Sequence, residues 1–535
     1  MFPFWVYSVK IKQNCINLWL LSEEISNFNK IKKQFTSMRI PTFICLLSIS
    51  LLASAQTFTQ FVTTQQAAWQ RKGKASLASK PKTEIANIDH LSYKDGKPFI
   101  SWGTCFNELD LDAIRLLKPE EQNQIMHDIF APDGDLRFTR GRLTMNANDY
   151  SRAWYSCDTV PGDFALAHFN IEHDKQNVIQ LVKMAQRWQP DMTFWVSPWS
   201  PPTWMKVNQD YPVLSSQWNH QPKERDALLF GEVTNNDPDE MKLQGERGNQ
   251  FPRRLATQNY FIQDARYLQA YANMFCRFID LYAEEGIPID MVMYQNEAYS
   301  YTPYPGCAWT AEGTILFNRD YLYPTLKQKH PNVKLYLGTF NTNRQDYVQK
   351  IVSGLSDKVL GLGFQWEGRE NLDYMREHYP NLHLMQSESE CGNGSMDWKA
   401  GEHTFFLLHE YVGRGCDEYC IWNFILCDNG QSPWGWKQNA LIQVDSRDKT
   451  FRYTPEYYAV KHFSHFVTPG SKVLSFQPWK KETGTQSIVF IRPDGRRVVI
   501  CGTTNDVATS VSVPVGKRFL NTTLQPHSFN TFVEK

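Results

Sequence analysis

The chain has 535 residues, enough for a large core and more than one domain. Lys plus Arg and Asp plus Glu each total 56, a balance that offers no electrostatic basis for nucleic acid as a partner. Aromatic residues make up 14%, with 17 Trp and 24 Tyr. Many of these rings sit in polar, loop-like surroundings, where a flat face suits the C–H face of a sugar as well as it suits a core.

Residues 1–37 carry no readable pattern. From Met38 and Arg39 the chain enters an apolar run over 42–52 that ends in Ala53-Ser54-Ala55. A basic start, a short apolar region and a small-x-small site have the form of a secretory signal peptide over about 38–55. The run is shorter than the ~20 residues of a membrane span. The expectation is therefore that translation begins at Met38, with a longer leader that includes the upstream extension 1–37 as the alternative. Such a leader predicts export to the periplasm, the cell surface or the medium, with no stable membrane insertion. Export implies an oxidising compartment. Removing Cys15 and Cys45 with the leader leaves nine of 11 cysteines, an odd number. Buried free thiols, including Cys416, Cys420 and Cys427, are the expectation.

Residues 56–80 are polar and read as a loosely held lead-in. The stretch 85–97 has strand and turn signals and would join a β side domain, so 56–97 forms one lead-in unit. Strand patterns follow at 98–106, 136–142 and 192–196, with helical spacing over 110–130 and 175–187. The amphipathic helix 260–285 leads into an apolar strand from Ile287 that ends abruptly at Asn296 and Glu297. Strand-like runs recur at 333–338, 359–366, 383–388 and 418–424, with helical candidates between them and a last helix at 455–466. Eight alternating βα units predict an α/β fold, a (β/α)8 TIM barrel over 98–468. The polar stretch 205–258 is too long for an ordinary βα loop and is expected to overhang the barrel mouth as a lid or wall. From Gly470 the spacing becomes alternating, at 473–477, 487–491, 497–503, 510–515 and 528–532, with Pro493-Asp494-Gly495 as turn chemistry. This predicts an antiparallel β-sandwich side domain over 469–535.

Two acids stand at strand ends. Glu297 ends the fourth strand, and Glu388 ends the seventh within a segment that also holds Glu390. Carboxyls from different strands of a barrel mouth can face each other across a substrate, as glycoside hydrolysis requires. One group protonates the leaving oxygen and the other attacks or activates water. The 13 His residues show no familiar metal-ligand spacing, and no metal site is expected.

With these residues in place, the chain resembles glycoside hydrolase family 30, which includes glucosylceramidases and β-1,6-glucanases. The resemblance runs from about Trp102 to the C-terminus. It rests on GRLTMNANDYS at 141–151, SPWSPPTW at 197–204, QNE at 295–297, QSESECG at 386–392, Trp422-Asn423, Trp434 and YYAVKHFSHFV at 457–467. It implies a retaining double displacement without a cofactor, in which Glu297 is the acid/base and Glu388 the nucleophile. An ungapped comparison selects Glu388, and a shift of two residues selects Glu390. The resemblance further implies that Asn296 binds the 2-hydroxyl and that Arg142 keeps the nucleophile ionised. Asp149, Trp199, Trp366 and Trp422 would shape the sugar pocket.

The implied substrate is a β-linked glycan or a glycolipid. A β-1,6-glucan is favoured by the long loop over the mouth, with glucosylceramide and xylan as alternatives. A carbohydrate-binding barrel without catalysis is the non-enzyme alternative, and the presence of both acids argues against it.

Overall fold

The computed structural model describes residues 57–83, 91–92, 96–223 and 259–535. The expected leader, residues 1–37, part of the expected strand region 85–97, and 224–258 of the insertion lie outside the described residues. Three strands precede the barrel: β1 (Thr57–Thr64), β2 (Gln70–Ala78) and the short β3 (Leu91–Ser92).

The barrel then closes with eight parallel strands in chain order. They are β4 (Ser101–Cys105), β5 (Arg140–Met145), β6 (Thr193–Pro198), β7 (Ile289–Met293), β8 (Lys334–Phe340), β9 (Gly361–Phe364), β10 (His383–Gln386) and β11 (Glu418–Ile421). Closure is made by β11 on β4, with Cys420 opposite Gly103. Trp195, Met291, Met293, Tyr336, Met385 and Cys420 pack together as one cluster of strand side chains. Gly361 is required there, because a Cβ would lie 2.4 Å from the Tyr336 ring.

Helices connect the strands: α1 (Glu108–Arg115), α2 (Pro119–Phe130), α3 (Glu172–Gln176), α4 (Val178–Gln186), α5 (Ala265–Glu284), α6 (Ala311–Phe317), α7 (Tyr323–Lys329), α8 (Gln345–Ser353), α9 (Leu372–His378), α10 (Trp398–Gly413) and α11 (Pro455–Ser464). The single helix expected over 110–130 is two helices. Pro119 disfavours helical backbone at Lys118, which is extended at φ −66, ψ 153. In α5, Asp264 accepts from the Arg266 amide as N-cap, and Leu268, Tyr271, Phe275, Ile279 and Tyr282 form the buried stripe.

After β11 come a small sheet, β12 (Ile425–Cys427), β13 (Ile442–Asp445) and β14 (Thr450–Tyr453), and then the side domain. Its strands are β15 (Lys472–Lys480), β16 (Thr485–Ile491), β17 (Arg497–Thr503), β18 (Thr509–Val515), β19 (Arg518–Leu524) and β20 (Ser528–Glu534). The expected side domain takes the form of one nine-stranded sheet in the order β18-β19-β2-β1-β20-β17-β16-β15-β3. Alternation divides its residues: Ile488, Phe490, Val498, Ile500 and Phe529 join the barrel core. Val489, Val499 and Phe532 join Phe58, Leu77, Val513 and Leu520 in a second core.

The loosely held lead-in expected at 56–80 is corrected here. β1 lies in the middle of the sheet, paired with β20 from Phe58 opposite Glu534 to Thr64 opposite Ser528. Its Thr- and Gln-rich composition masks two buried anchors, Phe58 and Val62. Of the insertion, residues 205–223 are described. The Val213 and Leu214 amides donate to the Thr302 carbonyl at 2.8 and 2.9 Å, and the Gly306 amide to the Tyr211 carbonyl at 3.1 Å. These bonds hold the start of the insertion against the loop that follows β7. The described cysteines are free thiols, with Cys416 and Cys420 buried and Cys427 half-buried.

Candidate active site

The strand tips at the C-terminal mouth of the barrel converge on Arg142. This side chain comes from the middle of β5 and is fully buried. Its Nη1 donates to Glu388 Oε2 at 2.6 Å, and its Nη2 donates to Asn296 Oδ1 at 2.8 Å and Ser197 Oγ at 3.2 Å. The guanidinium also lies over the rings of Trp195, Trp199 and Trp422, at 4.7, 4.4 and 5.2 Å from their centroids. A planar cation is suited to this place, because it can stack and donate in two directions at once.

Glu297 directly follows Asn296. Its backbone is in the left-handed region at φ +45, which for a residue with a Cβ costs on the order of 1–3 kcal/mol. The Glu297 amide donates to Thr339 Oγ1 at 3.0 Å. Its carboxyl accepts from the Tyr304 hydroxyl at 3.0 Å and from Gln365 Nε2 at 3.2 Å. Thr339 and Gln365 also reach Asn296 Oδ1, so the acid and its neighbour are held by one network.

The electrostatics separate the two acids. Burial, reinforced by the charge of Glu388, pushes Glu297 up to about 8, so it holds its proton at neutral pH. Burial raises Glu388 as well, but the Arg142 guanidinium opposes that rise by charge and by hydrogen bond. The arrangement therefore favours a protonated Glu297 facing a Glu388 carboxylate. Burial, with the charges of Glu388 and Glu297, also raises Asp149 well above the carboxylate range. A neutral Asp149 can donate a hydrogen bond.

Glu390 stands apart from this constellation. Arg369 Nη1 lies 3.2 Å from its Oε1, and His403 Nε2 contacts its other oxygen. Burial raises Glu390, yet the His403 and Arg369 contacts prevail and leave it below the ordinary carboxylate value. β10 ends at Gln386, so residues 388 and 390 leave the strand and no longer share a face. Arg142 contacts Glu388 and not Glu390.

Trp199 and Trp422 stack at 4.9 Å, and Tyr150 meets Trp422 edge-on. The Trp366 indole N–H favours the ionised form of Glu388 but is buried without a hydrogen-bond partner of normal geometry. The Trp422 and Trp434 indoles and Asp149 Oδ1 are also buried and unpartnered. Such groups are costly unless something completes them, and sugar hydroxyls can do so. The structure thus brings Arg142, Asp149, Trp199, Asn296, Glu297, Trp366, Glu388 and Trp422 together at the barrel mouth. Sequence reasoning passed over the contacts of Tyr304, Ser197 and Thr339. Tyr304 lay within the aromatic stretch after Glu297, but nothing in that stretch distinguished it from its neighbours.

The sequence matches the Glycosyl hydrolase family 30 TIM-barrel domain over residues 100–218 and 257–467. The chain is 25% identical to the lysosomal acid glucosylceramidase of Mus musculus over 454 residues, covering 78% of each chain. It is 23% identical to an endo-1,6-β-D-glucanase of Trichoderma harzianum over 458 residues, covering 82% of this chain and 84% of the relative. Among solved structures, SrfJ of Salmonella typhimurium superposes with a TM-score of 0.72 at 19% identity, covering 90% of this chain and 99% of that one. An endo-β1,6-glucanase superposes with a TM-score of 0.68, also at 19% identity and with the same coverage. These two likenesses concern the fold. The domain match spans most of the chain and covers the barrel whose strand tips carry the pocket, and the chain belongs to glycosyl hydrolase family 30, a family of glycoside hydrolases.

Proposed function

We propose that this protein is an exported, retaining β-glycosidase that cleaves gluco-configured, β-linked glycans of the β-1,6-glucan type. The observation that carries the reading is Arg142 gripping Glu388 while Glu297 keeps its proton. In the first step a Glu388 oxygen attacks the anomeric carbon, the glycosidic C–O bond breaks, and the Glu297 proton passes to the leaving oxygen. In the second step water attacks the same carbon, Glu297 takes its proton, and the Glu388 ester bond breaks. Asn296, held by Arg142 and Thr339, hydrogen-bonds the 2-hydroxyl in this reading. Relatives named as endo-1,6-β-D-glucanases support the choice of linkage. Relatives named as glucosylceramidases support a glycolipid as the second reading.

Product analysis on β-1,6-glucan, β-1,3-glucan, xylan and glucosylceramide tests the substrate. A 2-deoxy-2-fluoro glucoside inactivator tests the mechanism and is expected to label Glu388. Label on Glu390, or inversion of the product anomer, overturns it. Export rests on the leader pattern over 38–55, and N-terminal sequencing of the mature protein checks it.

A further inference from the structure

At the end of the barrel opposite Glu388, where the side sheet packs on it, lies a partly open cavity of about 260 Å³. The N-terminal ends of β4, β10 and β11, helices α9 and α10 and the start of β15 surround it. No residue of the Arg142 and Glu388 site takes part in its lining. A cavity on the order of 150 Å³ already admits benzene, so this one has room for a substituted ring.

Most of the wall is apolar, with Phe99, Leu384, Val412, Val473 and Phe490 among the lining residues. Main-chain bonds fix the frame. The Phe99 amide donates to the Ser471 carbonyl at 2.7 Å, the Ile100 amide to the Asp417 carbonyl at 2.6 Å and the Asp417 amide to the Leu384 carbonyl at 2.8 Å. Ser471 and Asp417 therefore flank one short stretch of main chain, and both belong to the lining. Ser471 is fully buried and Asp417 is 2% exposed. Among the described residues, Ser471 Oγ and Asp417 Oδ1 have no hydrogen-bond partner. An apolar cavity with two such oxygens in its wall has the make-up of a small-molecule site.

The polar groups select the ligand. A purely apolar molecule would leave both oxygens desolvated and unpaired, which is unfavourable. A hydroxyl can serve the two together, donating to Asp417 and accepting from Ser471. The cations of the lining are already engaged. Arg376 donates to the Arg414 carbonyl at 2.8 Å and pairs with Asp373 at 3.0 Å, and Lys97 donates to the Leu382 carbonyl. A cationic ligand would be repelled by Lys97 and Arg376. An anionic one would face the Asp417 carboxylate, whose ionised form the His383 hydrogen bond favours. We propose that this cavity is a second ligand site, remote from the barrel mouth, for a small neutral molecule bearing a hydroxyl on an aromatic or alicyclic ring. The site is independent of the glycosidase reading.

Calorimetry on the full-length protein at neutral pH tests this with 4-ethylphenol, ethylbenzene, 4-ethylbenzoate and 4-ethylbenzylamine. The expected result is saturable binding of 4-ethylphenol, about tenfold or more tighter than any of the other three. Ser471→Ala should weaken 4-ethylphenol by about tenfold, the size of one buried hydrogen bond, and leave ethylbenzene unchanged. Val473 is half-buried at the edge of the cavity, and Val473→Phe fills it. That variant should lose binding of all four probes while its thermal melt stays cooperative. Should Val473→Phe fail to fold, the selective effect of Ser471→Ala decides alone. Absence of 4-ethylphenol binding, as for a cavity that holds only water, overturns the proposal. So do equal affinities with and without the hydroxyl, tighter binding of the benzoate or the amine, an affinity that Ser471→Ala leaves unchanged, and binding that survives Val473→Phe.

Discussion

Arg142 and Glu388 form a buried ion pair at 2.6 Å, with the guanidinium wholly removed from solvent and the carboxylate nearly so. A buried charge that loses its partner is penalised by about 3–5 kcal/mol. Both the folding of the barrel mouth and the ionisation of Glu388 therefore depend on this contact.

Arg142→Lys should separate the two roles of the guanidinium. A lysine can reach one of Glu388 and Asn296, but it cannot fork between them or stack on Trp199. The expected outcome is a loss of about 100-fold in kcat/KM, of the size seen when one preorganised electrostatic contact is removed. Steady-state kinetics together with a thermal melt check it, and unchanged kcat/KM would disprove the role.

Glu297→Gln removes the proposed proton donor and leaves the nucleophile. Hydrolysis of an unactivated glucan should fall by about 10²–10⁴-fold, while the first step on a dinitrophenyl glucoside proceeds nearly as before. Pre-steady-state bursts on the activated substrate measure that step.

The same substitution has a signature in stability. Glu297 titrates at about 8 in the folded protein and near 4.5 when unfolded, so between these values the folded state binds the extra proton. Stability from this group is complete below about 4.5 and is lost as pH rises through about 8. Glu297→Gln should flatten that slope and melt on the order of 1–2 °C closer to, or above, the wild type at pH 8.5 than at pH 5. Melting curves at the two pH values decide the matter.

Tyr304→Phe should move the basic limb of the kcat/KM profile to higher pH. The Tyr304 hydroxyl donates to Glu297 and favours its ionised form, so its loss lets the acid keep its proton further into the alkaline range. The acidic limb, set by Glu388, should stay in place. A limb that moves the other way would show that Tyr304 does not tune the acid.

Lys206→Met tests the wall of the site. The Lys206 ammonium is completely buried and donates to the carbonyls of Tyr211 and Gly306 at 2.6 and 2.7 Å, which joins the insertion to the loop bearing Tyr304. Leaving those acceptors unpaired should destabilise the protein by about 2 kcal/mol. Denaturant titration measures the change.

Much of this molecule is legible in its linear order. Strand periodicity of two and helix periodicity of 3.6 are local properties, so the eight βα units and the acid at the end of β7 follow from nearest-neighbour patterning. The leading choice between Glu388 and Glu390 came from an ungapped comparison, but in an ideal strand both side chains share one face. The end of β10 at Gln386 and the ion partners Arg369 and His403 separate them, and those partners come from other parts of the chain.

The sequence by itself therefore determined the barrel and its repeat, because both depend on short-range spacing, whereas the residues expected at its mouth beyond the two acids rested on the resemblance to a family. Only the tertiary structure decided that Thr57–Thr64 is a central strand, that Tyr304 touches Glu297 and that Lys206 joins two walls. Each of these is a contact between segments whose own composition does not announce it. Pairing across the chain is chosen by which backbone and side-chain groups are left unsatisfied once the barrel has closed, and that quantity exists only in three dimensions.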